Sequence, residues 1–176
     1  VILDNLSNSS KNVCNKLFEI TNKKFAFFKG DIIDTKLLNK IFTSFSIDAV
    51  IHCAGLKSAS ESIKYSEKYY HNNFQGTKNL IQSMQKNKVF KLIFSSSATV
   101  YGSPSYLPID EKHPINPINP YGSTKVDAEA LLKKFAQKNL SWKILSLRYF
   151  NPIGADDSYL LGDNPSGNSD NLFPFL

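Results

Sequence analysis

The chain has 176 residues, of which 41% are hydrophobic and 20% are charged. These values are typical of a globular protein, and the length suffices for one domain with a sizeable core. No apolar run approaches the roughly 20 residues that a helix needs to cross a bilayer, so we expect no membrane-spanning helix. The first residues lack the cationic and apolar segments of a secretory signal peptide.

The formal net charge of +6 would suit an acidic partner. The positive charges are scattered, however, and Arg148 is the only arginine. Because the reading of base edges relies on the guanidinium group, the sequence argues against nucleic-acid binding. The cysteines and histidines lack metal-ligand spacing, so we expect no metal site and two free thiols in a reducing cytoplasm. The residues concerned are Cys14, Cys53, His52, His71 and His113.

Short apolar runs alternate with longer segments of helical periodicity. The apolar runs predict buried strands at residues 1–3, 25–28, 48–54, 91–97 and 143–148. The periodic segments predict helices at residues 34–46, 73–87 and 122–138, with Asp34 as the N-cap of the first. The predicted buried positions of these helices are Leu37, Leu38, Ile41, Phe42, Phe45, Phe74, Leu80, Ile81, Met84, Val126, Ala130, Leu131 and Phe135.

The alternation of strands and helices predicts an α/β fold, a doubly wound parallel sheet with helices on both faces. Ligands of such sheets bind beyond the carboxyl ends of the strands, so the residues after each apolar run form the candidate site. After residue 151 the sequence becomes rich in Gly, Pro, Asn and Asp. That composition is typical of a loop that leads into another module.

The first two strand ends each supply an acid. Asp4 stands where a dinucleotide-binding unit has a carboxylate that binds the adenosine ribose and favours NAD over NADP. Asp31 and Ile32 follow the second run, where an adenine ring would lie. Aspartate is also common in turns for structural reasons, which accounts for Asp4 and Asp31 at least as well. Neither residue therefore identifies a site by itself.

The third and fourth strand ends are more informative. Ala54 and Gly55 would let the backbone approach a ligand closely, and Lys57 offers a cation to a pyrophosphate. The fourth run ends in three consecutive serines, residues 95–97, whose hydroxyls can bind a substrate. This combination of small, cationic and hydroxyl-bearing residues favours a binding site over a plain strand-to-helix loop.

A Tyr-x-x-x-Lys pattern follows, with Tyr121 and Lys125. The pattern alone is weak, but Pro120 suits the first turn of a helix and puts both side chains on one face. A phenol titrates near pH 10, and a nearby ammonium or an oxidised nicotinamide ring would favour the phenolate. Tyr121 is therefore the candidate base for removing a proton from an alcohol, and a serine hydroxyl would hold the reacting oxygen.

Eight segments occur in an order and at spacings that are similar to those of the extended short-chain dehydrogenase/reductase superfamily. They are LDNLSNSS, GDI, HCAGLKSASES, YYHNN, FSSSATVYG, PYGSTK, LRYFNPIGA and NLFPFL. Within the superfamily the chain resembles the UDP-hexose 4-epimerases of galactose metabolism. The resemblance implies an NAD-binding, Rossmann-like domain over residues 1–151 and the beginning of a small UDP-sugar-binding domain over residues 152–176.

The resemblance also implies roles for individual residues. Tyr121 would be the base, Lys125 would bind the nicotinamide ribose and lower the pKa of the tyrosine, and Ser97 would bind the 4-hydroxyl of the sugar. The implied NAD-binding residues are Asp4, Asn5, Leu6, Ser7, Asn8, Ser9, Asp31, Ile32, Cys53, Ala54, Gly55, Leu56, Lys57, Asn72, Ser97, Tyr121, Lys125 and Phe150. The implied substrate-binding residues are Ser97, Tyr121, Asn151 and Asn171.

The implied reaction is epimerisation at C4 of a UDP-hexose through a transient 4-keto sugar. The related 4,6-dehydratases carry an Asp-Glu pair where this chain has Ala98 and Thr99, which can act neither as acid nor as base, so dehydration is not expected. Epimerases of UDP-N-acetylhexosamine or UDP-glucuronate, a net reductase, and a non-catalytic NAD-binding module stay open as alternatives.

The superfamily's glycine-rich phosphate loop, G-x-x-G-x-x-G, does not occur before Asp4. We therefore expect the chain to begin inside the second strand of its fold and to stop early in the substrate domain. Without the backbone cradle of that loop, the 176 residues alone are expected to bind NAD poorly and to be inactive. For the full-length protein, the resemblance implies a homodimer.

Overall fold

The described part of the chain, residues 1–162 of the computed structural model, alternates strands and helices. The strands are β1 (Ile2–Asp4), β2 (Phe27–Lys29), β3 (Val50–His52), β4 (Lys91–Ser97) and β5 (Lys143–Tyr149). The α-helices are α1 (Asn12–Thr21), α2 (Thr35–Ser44), α3 (Ala59–Lys64), α4 (Ser66–Tyr69), α5 (Gly76–Lys86) and α6 (Pro120–Lys138). A π-helix spans Tyr70–Gln75, and a 3₁₀ turn spans Ala98–Val100. Among these residues, no helix combines the length and apolar content needed to cross a membrane.

The chain divides into two compact units. One contains Val1–Asp31 and the segment after Phe150, and the other is Ile32–Phe150. In the first unit β1 and β2 pair in parallel, with Leu3 opposite Phe28. In the second unit three parallel strands have the order β3-β4-β5. The predicted α/β class with parallel strands is confirmed, whereas the proposed domain boundary at residue 151 stays a prediction.

Strand β4 is the centre of the second unit. Its residues Leu92, Phe94 and Ser96 are buried, while the residues between them are only half-buried, as expected for a pleated strand. His52 at the end of β3 is also buried, and its Nε2 lies 2.9 Å from the hydroxyl of Thr77. Burial, reinforced by the charge of a nearby lysine, lowers the pKa of His52 to about 3. The imidazole is therefore neutral at physiological pH.

Helix α2 lies within its predicted range, but it ends before Phe45, and Leu37 and Phe45 are half-buried rather than buried as predicted. The carboxylate of Asp34 accepts hydrogen bonds from the backbone N–H groups of Lys36 and Leu37, at 2.9 and 3.0 Å, and so caps the helix. Its buried residues are Leu38, Ile41 and Phe42.

Helix α5 begins later than predicted because the π-helix precedes it, with the N–H of Gly76 bonded to the carbonyl of His71. A Cβ at Gly76 would overlap the side chain of Ile32. Glycine therefore permits close contact at a position where it costs helix propensity.

Helix α6 starts at Pro120, as expected, and the side chain of Asn119 caps it by accepting a 2.8 Å hydrogen bond from the N–H of Gly122. The predicted buried face was wrong: Ala130 is exposed, and Val126 is only half-buried. The buried face instead consists mostly of small and polar residues, with Leu132 as its large aliphatic side chain, and the helix packs against α3, α4 and the π-helix as well as against β4 and β5. These residues are Tyr121, Gly122, Thr124, Lys125, Ala128 and Leu132.

Candidate active site

Strand β4 delivers Ser97 to the carboxyl end of the sheet in the second unit. Its hydroxyl oxygen accepts hydrogen bonds from the backbone N–H and the hydroxyl of Thr99, at 3.2 and 2.9 Å. These bonds join the end of the strand to the 3₁₀ turn that follows it. Only 9% of Ser97 is exposed, so its hydroxyl is held in one place beside α6.

Tyr121 lies in the first turn of α6 and is 9% exposed. Its backbone N–H donates a 3.1 Å hydrogen bond to the hydroxyl of Ser62 in α3. Its ring meets the ring of Tyr69 edge-on, with 6.4 Å between the centroids. Burial raises the pKa of the Tyr121 phenol, and a hydrogen bond with the hydroxyl of Ser97 partly offsets that rise. The phenol of Tyr121 and the hydroxyl of Ser97 are therefore close enough to interact.

Lys125 follows one helical turn later and is 6% exposed. Its ammonium donates a 2.8 Å hydrogen bond to the backbone carbonyl of Ser95 and lies 5.8 Å from the ring centroid of Tyr121. Burial lowers the pKa of Lys125 to about 8, while the negative charge of Glu129 acts in the opposite direction. At neutral pH the site thus contains a buried cation close to a buried phenol.

The loop after β3 is fixed to this cluster by Asn73 of the π-helix. The side-chain oxygen of Asn73 accepts a 2.8 Å hydrogen bond from the N–H of Leu56, and its amide donates a 2.9 Å bond to the carbonyl of Leu56. The same amide lies 3.3 Å from the hydroxyl of Thr124 in α6. A Cβ built at Gly55 would lie 3.4 Å from Nζ of Lys125, so the loop passes close to the ammonium. Sequence periodicity did not single out Asn73, because the widened π turn breaks the helical repeat.

Replacing Asn73 with Asp is expected to destabilise the full-length protein by about 2–3 kcal/mol. A carboxylate oxygen would replace the amide that donates to Leu56 and would face a carbonyl oxygen. It would also face the hydroxyl of Thr124, whose hydrogen is already donated to the carbonyl of Tyr121. Urea unfolding measures the change, with Asn15→Asp on the exposed side of α1 as the matched control. Equal stabilities of the two variants would show that Asn73 does not fix the loop after β3.

The remaining predicted residues of the second unit differ in exposure. Cys53, Ala54 and Lys57 are exposed, Phe150 is 60% exposed, and Gly55, Leu56 and Asn72 are half-buried. The amide of Asn72 donates a 2.9 Å hydrogen bond to the side-chain oxygen of Asn73. Ile32 is 7% exposed and packs at Gly76.

The first unit brings Asn5 and Asp31 together after the ends of β1 and β2. The amide of Asn5 donates a 2.8 Å hydrogen bond to the carboxylate of Asp31. The carboxylate of Asp4 accepts a 2.7 Å bond from the N–H of Leu6, which adopts a positive φ of 60°. The N–H of Ser7 donates to the side-chain oxygen of Asn5.

The other predicted residues of this unit form no comparable cluster. Asn8, Ser9 and Asn151 are exposed. Asn171 lies outside the described residues.

The second unit thus contains a phenol, a serine hydroxyl and a buried ammonium at the carboxyl end of parallel strands. Such a group can transfer a proton to or from an alcohol oxygen. The arrangement is one that an α/β enzyme with a tyrosine base would need, and the role of Tyr121 stays a prediction. Three comparisons with known proteins show what the chain is similar to.

A sequence profile of the NAD dependent epimerase/dehydratase family matches residues 1–172, and the chain belongs to that family. The chain is 48% identical over 177 residues to the UDP-glucose 4-epimerase of Yersinia enterocolitica, a match that covers 100% of this chain and 53% of that protein. It is 46% identical over 176 residues to the UDP-glucose 4-epimerase of Bacillus subtilis, covering 100% of this chain and 52% of the relative. The chain therefore spans about half the length of these curated relatives.

Among solved structures, the chain is similar to UDP-glucose 4-epimerase from Bifidobacterium longum in complex with NAD+ and UDP. The TM-score is 0.95 and the sequence identity is 44%, over 98% of this chain and 52% of that chain. The expected resemblance to UDP-hexose 4-epimerases is confirmed.

Proposed function

We propose that the full-length protein interconverts UDP-glucose and UDP-galactose, with NAD as a retained cofactor, in galactose metabolism. The observation that carries the proposal is the grouping of the buried Tyr121 and Ser97 with the ammonium of Lys125, which lies 5.8 Å from the ring centroid of Tyr121. Family membership and the identities of 46% and 48% to UDP-glucose 4-epimerases support the choice of substrate.

In the proposed mechanism, Tyr121 removes the proton of the 4-hydroxyl group, and Ser97 holds that oxygen by a hydrogen bond. Burial alone raises the pKa of the phenol, so a phenolate needs positive charge close by. Lys125 supplies one such charge, 5.8 Å from the ring centroid. The same tyrosine returns the proton when the 4-keto sugar is reduced on its other face.

Each of the two units, taken by itself, has residues that suit part of a dinucleotide cofactor. The loop at Gly55 passes close to the ammonium of Lys125 without a side chain of its own, and the exposed Lys57 suits a pyrophosphate. Asp4 and Asn5 offer a carboxylate and an amide, which suit ribose hydroxyls. When bound, NAD would accept the hydrogen of C4 with its electron pair and later return it. Phe150 would contact the nicotinamide, and Asn72 would contact the cofactor.

The 3₁₀ turn argues against dehydration. Its residues Ala98 and Thr99 carry no acid or base, and the hydroxyl of Thr99 already donates to Ser97. Elimination of water from the sugar would need such a group next to the serine. Epimerisation therefore accounts for the site better than dehydration does.

The protein works in the cytoplasm, in keeping with the free thiols of Cys14 and Cys53. It forms a homodimer when full length. Residues 1–151 serve NAD binding, whereas residues 152–176 begin the UDP-sugar-binding domain, with Asn151 and Asn171 as substrate contacts.

The test is an assay of the full-length protein with UDP-galactose, in which UDP-glucose is separated and detected by chromatography. UDP-glucose should form over many turnovers, while the enzyme's bound cofactor shows no lasting change at 340 nm. Stoichiometric consumption of reduced cofactor would point to a reductase and overturn the proposal. Binding of NAD without turnover would do the same in favour of a non-catalytic module. Parallel reactions with UDP-N-acetylgalactosamine and UDP-glucuronate test the alternative substrates.

A further inference from the structure

A second polar cluster lies directly behind the serine of the candidate site. Glu129 sits on α6, one turn beyond Lys125, and is 13% exposed. One of its oxygens accepts a 2.5 Å hydrogen bond from the hydroxyl of Ser96 and a 3.0 Å bond from Nε of Arg148. Its other oxygen accepts a 2.6 Å bond from the guanidinium of Arg148. The carboxylate therefore holds two neighbouring strands at once.

Ser96 and Arg148 both lie near the carboxyl ends of their strands, where the candidate site is found. Ser96 and Arg148 are direct partners in the pairing of β4 with β5. Ser96 immediately precedes Ser97, and Arg148 also donates a 3.0 Å hydrogen bond to the hydroxyl of Tyr101. The guanidinium carbon lies 4.9 Å from the centroid of the same tyrosine ring. The network thus ties α6, β4, β5 and the end of the 3₁₀ turn into one unit.

We propose that Glu129 is a positioning residue, which acts through Ser96 and Arg148 to hold the hydroxyl of Ser97 at the phenol of Tyr121. This inference rests on the proposed function. Glu129 and Tyr121 belong to the same helix, while Ser96 and Ser97 are adjacent on β4. A bond between Glu129 and Ser96 therefore fixes the strand end against the helix that carries the base. A displacement of about 1 Å at such a position costs on the order of 10²-fold in rate.

The chemistry requires a carboxylate at this position. Three donor groups converge on its two oxygens, from Ser96 and from two nitrogens of Arg148. A glutamine would offer one acceptor and turn an NH₂ group toward the guanidinium. It would also leave a largely buried cation without its counter-charge, which is strongly destabilising.

Two variants of the full-length protein test the proposal by turnover. Ser96→Ala removes the link to β4 but keeps the ion pair, and it should lower kcat about 10-fold with KM for UDP-galactose changed less than 2-fold. Glu129→Gln should lower kcat at least as much, and the double variant should be no worse than Glu129→Gln alone. Glu111→Gln, at an exposed position, is the matched control. If Ser96→Ala loses stability but keeps its kcat, the proposal is overturned.

A second readout needs no turnover. In protein labelled with ¹³C at the tyrosine ring, the resonance of Tyr121 is identified by its loss in Tyr121→Phe, and its midpoint is followed with pH. The groups that face this phenol are Ser97, Lys125 and Tyr69. Displacing Ser97 removes a hydrogen bond that lowers the pKa of Tyr121, so Ser96→Ala should move the midpoint upward. An unchanged midpoint overturns the inference.

The turnover assay and the phenol titration distinguish a failure of the proposed function from a failure of the role proposed for Glu129. A wild-type protein without epimerase activity overturns the proposed function, and the phenol titration then still decides the role of Glu129. If Glu129→Gln does not fold, Ser96→Ala decides by itself, because it removes only a hydroxyl group.

Discussion

Replacing Tyr121 with Phe in the full-length protein is expected to lower kcat for the interconversion of UDP-galactose and UDP-glucose by about 10²–10⁴-fold, the usual contribution of a general base. The substitution removes only the hydroxyl, while the ring keeps its edge-on contact with Tyr69. The helix start is also kept, because the bond to Ser62 comes from the backbone N–H. The loss should therefore fall on the chemical step rather than on folding.

A coupled assay for UDP-glucose measures kcat, and urea unfolding measures stability, which should change by about 1 kcal/mol or less. Tyr106→Phe is the matched control, since the hydroxyl of Tyr106 donates to Asp110 on the exposed side of the protein. An unimpaired kcat in Tyr121→Phe would mean that the base has been assigned to the wrong residue.

Replacing Lys125 with Met should lower kcat about 10²-fold or more and move the acidic limb of the pH profile to higher pH. The loss of a cation 5.8 Å from the ring centroid removes support for the phenolate, so the phenol titrates at higher pH. Lys133→Met, at an exposed position of the same helix, is the control for the loss of one charge. A pH profile that does not move would contradict the electrostatic role.

Lys125→Met should also show how much the buried ammonium of Lys125 lowers the free energy of unfolding. The pKa of Lys125 is about 8 in the folded protein, against 10.5 as its ordinary value. Between these two values the unfolded chain binds more protons than the folded one, so the stability that Lys125 contributes rises with pH. The free energy of unfolding of the wild type should therefore increase by about 2 kcal/mol relative to Lys125→Met between pH 8 and pH 10. A constant difference across that range would mean that the lysine is well solvated.

Much of the fold could be predicted from the sequence, because buried strands and capped helices leave local signals. The run 91–97 became β4 with the same bounds, and Asp34 caps α2 as expected. Helix α1 was missed although Val13, Leu17 and Ile20 recur at helical spacing, because none of its residues is fully buried and no capping side chain marks its start. The inner face of α6 was mispredicted for the opposite reason: it is buried but polar, and hydrophobic periodicity cannot detect such a face.

The residues of the candidate site likewise fall into those that the sequence could predict and those that it could not. Tyr121, Lys125 and Ser97 could be named from a recognisable pattern at the strand ends, although their roles stay predictions. Asn73 and Glu129 could not, since each acts through bonds to residues far away in the chain, such as Leu56 and Ser96. An amide or a carboxylate on a helix is usually solvated, and only the fold reveals which ones are not.

The π-helix between Tyr69 and Gly76 holds one residue more than regular α-helical winding would use over the same rotation. Deleting one residue there would restore α-helical winding and leave Tyr69 facing Tyr121 and Gly76 packed on Ile32. The wider turn is therefore not needed to orient its two ends. A shortened chain should keep the helix, and its loss should fall on Asn73 and the bonds that tie this residue to Leu56.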